Sequence, residues 1–109
     1  MGSPLFGSIT FPGFAFELAD RLFGEAMAFS PDSRFLAISE LISSQEGPES
    51  RVVAFDFVDR IERVAMHSIP GITRRISWSD ARTIDIRFWS YESGERAISA
   101  RIEGSENSA

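Results

Sequence analysis

The chain has 109 residues, 43% of them apolar and 25% charged, and carries a formal net charge of −5. That describes a single globular domain, large enough to bury a core, and argues against wholesale disorder. The acidic balance disfavours a nucleic-acid ligand, which needs clustered cations, and the absence of cysteine excludes disulfides, zinc–thiolate sites and thiol catalysis.

Taken in chain order, residues 1–24 permit two readings. Gly7–Phe11, Pro12-Gly13 and Phe14–Leu18 read as two strands around a tight turn. Phe14, Leu18 and Leu22 fall instead at i, i+4, i+8, the spacing of a helix stopped by Gly24. The expectation is a strand to about Glu17, then a helical turn over Leu18–Phe23. The first positive side chain is Arg21 and no apolar run approaches the ~20 residues of a spanning helix. The chain is therefore expected to be cytoplasmic, without a membrane partner. All eleven basic residues are Arg, as in a GC-rich bacterial coding bias.

A first unit is expected over residues 25–69. Glu25–Phe29 leads into a turn at Ser30-Pro31-Asp32-Ser33, where Pro fixes φ and Asp and Ser bond local amides. Arg34–Ile42 follows, with Phe35 and Ala37 on one face and Leu36 and Ile38 on the other, the pattern of a strand covered on both sides. Ser43–Ser50 reads as a polar loop, long for a hairpin. Arg51–Val58 alternates Val53, Phe55 and Phe57 against Val52, Ala54 and Asp56, and Ile61–His67 completes the unit. Pro70-Gly71 marks a boundary. The second unit, residues 70–103, runs through Thr73–Trp78, Thr83–Tyr91 and Arg96–Ile102, with Glu92–Glu95 as a hairpin turn. Residues 104–109 form a small, polar tail expected to be disordered. The whole is an all-β antiparallel meander of eight or nine short strands.

The two units share a motif. Phe29-Ser30-Pro31-Asp32-Ser33-Arg34 recurs 48 to 49 residues later as Trp78-Ser79-Asp80-Ala81-Arg82, followed in each case by alternating aliphatics (Leu36 and Ile38; Ile84 and Ile86). A period in the forties built of short strands is the mark of β-propeller blades. The segment from about Met27 to Ile102 resembles two consecutive blades of WD-repeat and related β-propellers, whose aromatic-Ser-Pro-Asp-Gly-Arg turn is matched except for Ser33 in place of Gly. The second unit lacks the Pro. The terminal Trp-Asp pair and the opening Gly-His of those repeats are absent, with Asp56-Phe57 and Trp89-Ser90 the nearest stand-ins. The resemblance implies blade-like units and no particular activity. Two units cannot close a ring, so they are expected to pack as a small sandwich or open barrel, or to associate as copies. The expected core is Phe29, Leu36, Ile38, Phe55, Trp78, Ile84 and Ile86.

Catalytic chemistry finds little purchase. His67 is the only histidine and has no second ligand at a metal-binding spacing. Turn capping accounts for Asp32 and Asp80, and Ser30 and Ser79 have no neighbouring general base. Of the adjacent Arg74 and Arg75, strand alternation exposes one at a given surface. Asp56, Asp59 and Glu62 read as solvated surface. No cofactor is expected, and the chain reads as a non-enzyme.

What remains is recognition. The Ser43–Ser50 loop and the Trp89–Glu95 hairpin carry Glu46, Glu49, Glu92 and Glu95, with Trp89 and Tyr91 available as aromatic anchors. These six residues are the expected protein-binding site. The expected function is a protein-binding module, most concretely a bacterial immunity protein that neutralises a basic toxin. The alternative is a self-associating structural protein, a homodimer paired through blade edges.

Overall fold

The computed structural model describes residues 11–14, 16, 18–44 and 47–102. Among them run seven strands: β1 (Leu22–Phe29), β2 (Phe35–Ser44), β3 (Gly47–Asp56), β4 (Ile61–Pro70), β5 (Ile72–Trp78), β6 (Thr83–Ser90) and β7 (Gly94–Arg101). Each pairs antiparallel with its chain neighbour, giving a sheet β1-β2-β3-β4 and a sheet β5-β6-β7. The fold is an all-β meander whose two sheets pack as a small sandwich. Among the described residues no helix is long and apolar enough to cross a membrane.

Two sequence expectations about the elements change. The helical turn over Leu18–Phe23 is not formed: a turn at Ala19-Asp20 feeds β1, which already includes Leu22 and Phe23. Of the expected N-terminal strands, Gly7–Thr10, Ala15 and Glu17 lie outside the described residues, as does the tail expected over residues 104–109. The long loop at Ser43–Ser50 is mostly ladder, with Ser43 opposite Pro48 and Ser44 opposite Gly47. Backbone pairing of Ser43 and Ser44 with Pro48 and Gly47 continues the β2–β3 ladder there regardless of hydropathy.

The first sheet is covered on both faces, as the double apolar pattern of β2 requires. Phe35 and Ala37 of β2, Val52 and Ala54 of β3 and Met66 of β4 face the second sheet, meeting Ile76, Ile84, Ile86 and Phe88. On the opposite face Phe23, Ile38, Val53 and Phe55 are buried beneath Phe11, Phe16, Leu18 and Phe57. The aromatic rings there pack at 4.8–6.1 Å between centroids, in tilted and edge-on arrangements. The outer face of the second sheet is wet: Arg75, Ser77, Asp85, Arg87 and Ser99 are all exposed.

The repeat survives in the turns and inverts in depth. Phe29 pairs with Leu36 across the first turn, and Trp78 with Ile84 across the second. Asp32 accepts hydrogen bonds from the Ser30 hydroxyl and the Arg34 amide, at 2.7 and 3.1 Å. Asp80 accepts one from the Arg82 amide at 2.8 Å. Yet Phe29 is 59% exposed, against the expectation that it lies in the core. Trp78 is half-buried, stacked on Phe35 at 5.8 Å with its Nε1 donating to the Ala28 carbonyl at 2.9 Å. Leu36, Ile38, Phe55, Ile84 and Ile86 are buried as expected. The sheets stack face to back: the first presents Phe35 and Ala37 inward, while the second presents Ile84 and Ile86, the counterparts of Leu36 and Ile38.

Candidate functional site

The sandwich has two chemically different ends. At the end holding the Asp32 and Asp80 turns, ion pairs knit the first sheet together. Asp56, fully buried, accepts bonds from Arg34 (Nε and Nη2, both 3.0 Å), from Arg63 and from the amides of Val58 and Asp59. Burial pushes its carboxyl up; the Arg34 guanidinium, the two amides and Arg63 outweigh it and hold the carboxyl at about 2. The expectation that Asp56 is solvated surface is therefore wrong. Its alternation with Val52 and Ala54 was the available signal, since both belong to the face that meets the second sheet. Asp59 joins the same network through Arg34 and Arg63, and Glu62 is paired with Arg21.

Farther along the sheet, Arg21 bridges Glu62 and Glu40, the latter also held by Arg51 at 2.8 Å. Burial raises Glu40, but the bonds from Arg21 and Arg51 prevail and hold it below the usual carboxylate range. Glu62 and then Glu40 raise Arg21 above its ordinary value. These networks satisfy their own charges and anchor the scaffold.

The opposite end gathers the residues expected to bind a partner. Glu49 lies opposite Pro70, and Ile72, two residues on, lies opposite Trp89. Gly71 is the joint between them and between the two sheets. Its amide donates to the Pro48 carbonyl at 3.3 Å. Its φ is +134°, and a Cβ there would strike the Trp89 carbonyl and lie 2.8 Å from the Phe88 ring, so only glycine fits. The boundary read from Pro70-Gly71 is thus the point where the chain leaves one sheet for the other.

Trp89 and Tyr91 meet edge-to-face, their centroids 5.0 Å apart, with Trp89 half-buried and Tyr91 47% exposed. Glu95 is opposite Trp89 in register. The turn that follows is Tyr91–Ser93, and β7 begins at Gly94, two residues before the expected start at Arg96. The Ser90 hydroxyl accepts the amides of Glu92 and Ser93 at 3.1 and 3.3 Å, which fixes the turn and leaves Glu92 exposed. Glu49 is half-buried and accepts the Ser68 hydroxyl at 2.8 Å. Glu46 lies outside the described residues. The structure thus brings Glu49, Trp89, Tyr91, Glu92 and Glu95 to one end, from two segments nearly forty residues apart.

His67 is exposed on β4. Arg74 and Arg75 are both exposed; β5 is irregular between Thr73 and Arg75, where Arg74 is the extra residue. Among the described residues, no group of three His, Cys, Asp or Glu side chains is placed to hold a metal ion. Comparison with protein-family models, with curated proteins and with solved structures found no match.

Proposed function

We propose that the chain acts by binding another protein of basic character, through the end formed by Glu49, Trp89, Tyr91, Glu92 and Glu95. The observation that carries this reading is the Trp89–Tyr91 pair. An aromatic pair half open to solvent, at the end of β6 and beside the carboxylates of Glu92 and Glu95 in sequence and register, has the make-up of a binding hot spot. The carboxylates add steering toward a positively charged partner. The most concrete form of this function is a cytoplasmic bacterial immunity protein that neutralises a basic toxin one to one. The chain's relation to propeller blades is part of the proposal, supported by the face-to-back stacking of the two units and the shared Asp turn.

Affinity capture from the source organism with the wild type and with Glu92→Arg/Glu95→Arg tests this. The wild type is expected to retain a basic protein, and the double reversal to slow its association about tenfold at low salt, converging with wild type at high salt. Tyr91→Ala should instead accelerate dissociation. Recovery of no partner, or equal capture by wild type and reversal at all salt concentrations, overturns the assignment.

Exposed Met27 and Phe29, at 48% and 59% on the edge strand β1, favour a second reading in which copies pair through that edge. Light scattering decides it: a monomer at high concentration removes this reading and leaves the first.

A further inference from the structure

The outer face of the first sheet is kept from water by side chains that arrive without any strand. Phe11, Phe16 and Leu18 lie over Phe23, Ile38, Val53 and Phe55, none of which is more than 4% exposed. Phe11, Phe14 and Phe16 also meet Phe57, with centroids 5.1–6.0 Å apart. Among the described residues the backbone hydrogen bonds of this arm are local. The Phe14 amide donates to the Phe11 carbonyl at 3.1 Å, the Arg21 amide to the Leu18 carbonyl at 3.4 Å, and none joins the sheet. The arm therefore adheres by its rings and by one clasp at its far end. There Arg60 donates to the Gly13 carbonyl at 3.0 Å and lies 4.6 Å from the centre of the Phe14 ring.

The near end is a hinge. Leu18 and Arg21 close a turn whose third residue, Asp20, has φ +63°, a conformation usually left to glycine. Immediately beyond it, Arg21 is fixed to the body by Glu40 and Glu62. An arm on a strained turn beside a rigid anchor can straighten without disturbing the sheet. Next to the hinge Leu22 is 47% exposed and lies opposite Leu41, which is half-buried. Apolar surface is thus left uncovered where two bodies would touch if their hinges opened.

We propose that the arm exchanges between copies. Two chains form a two-fold dimer in which the arm of each seats Phe11, Phe16 and Leu18 on the Phe23–Phe55 face of the other. The occupant follows from what already fits. A second copy supplies the same rings and the same carbonyl for Arg60, so exchange keeps every contact of the closed arm and releases the turn at Asp20. An unrelated peptide would have to reproduce both the ring pattern and the clasp. Opening the arm draws several aromatic side chains into water, so monomer and dimer interconvert slowly. The exchanged dimer needs no new strand pairing, which separates it from association through the β1 edge.

Deleting Ala19 and Asp20 from the full chain tests this, because too little turn then remains for an arm to fold back on its own body. By light scattering the variant should have about twice the mass of the wild-type monomer obtained by dilute refolding. The wild type itself is refolded at high concentration from equal parts of isotope-labelled and unlabelled chain. A dimer fraction that persists on dilution is expected, with isotope-filtered NOEs between Phe16 of one copy and Phe55 of the other, rings that lie 4.8 Å apart. Asp20→Gly relieves the turn and should lower that fraction at least about twofold. Should the deletion variant not fold, the wild-type NOEs decide. A folded but monomeric deletion variant, a wild type that yields no dimer, or an undiminished dimer fraction in Asp20→Gly overturns the proposal. So does a dimer whose Phe16–Phe55 NOEs stay within one copy, the result expected of pairing through β1.

Discussion

The turn after β1 and the turn after β5 are built alike and end differently. Both place an aromatic before a serine, let an Asp carboxylate hold the amide two residues on, and pair the aromatic with an aliphatic across the hairpin. Trp78 is then covered by the first sheet, whereas Phe29 points to the far side and is left mostly in water. The local motif therefore sets the path of the backbone. Depth is set by which face has a neighbour, and face-to-back stacking gives that neighbour to only one of the two aromatics.

The largest test of the comparison concerns charge. The carboxylates buried among the described residues, Glu40 and Asp56, both belong to the first sheet. Asp56→Ala strips Arg34, Arg63 and two amides of their acceptor and is expected to cost ~3–5 kcal/mol in chemical denaturation. Asp85→Ala, on the wet face of the second sheet, should leave stability unchanged. Comparable losses from the two would show that the networks of the first sheet are not what distinguishes it.

Next comes the aromatic pair. Trp78→Ala removes a ring stack and a hydrogen bond and should cost ~3 kcal/mol, at the low end for a large core residue because the side chain is only half-buried. Phe29→Ala should cost less than ~1 kcal/mol. Equal losses, measured as midpoint shifts at constant m-value, would mean that the two aromatics share an environment after all.

Acid provides a third probe. The folded-state carboxyl of Asp56, at about 2, lies below its ordinary value of 3.8. The stability it supplies is fully present above pH ~4 and is lost as pH falls through about 2, amounting to roughly 2 kcal/mol. Asp56→Asn should flatten that acid limb; a limb unchanged in the variant would place the titration elsewhere. The smallest effect is expected at the turns. The Ser30 hydroxyl and the Arg34 amide hold Asp32 below its usual range, and the Arg82 amide does the same for Asp80. Asp32→Ala should cost about 1 kcal/mol or less, and Asp80→Ala should lower Tm in the same direction. Opposite signs would break the equivalence of the two turns.

Much of this was legible in the residues. Apolar alternation on both faces of Arg34–Ile42 required two coverings, and both exist. Pro70-Gly71 marked the crossing between sheets because nothing but glycine fits against Trp89 and Phe88. The Trp89–Glu95 segment was marked as a candidate because large aromatics beside carboxylates stand out at a strand end. Periodicity, however, tells which residues share a face and not what lies above it, so Phe29 was placed in the core. Polar composition at Ser43–Ser50 suggested a loop, since hydropathy is blind to a ladder that runs on beyond the core.

Face-to-back stacking also gives the molecule a direction. One outermost surface is charged and repels further layers; the other is greasy and lies under Phe11, Phe16 and Leu18. A stack with adhesive surface at both ends would grow without limit, each copy seating on the last. With one such surface, sheet-on-sheet stacking of a chain stripped of its aromatic covering would pair two copies symmetrically, adhesive side to adhesive side, and stop. The wet face thus opposes unlimited growth by stacking, independently of whether the covering stays in place, and pairing through the β1 edge is a separate route.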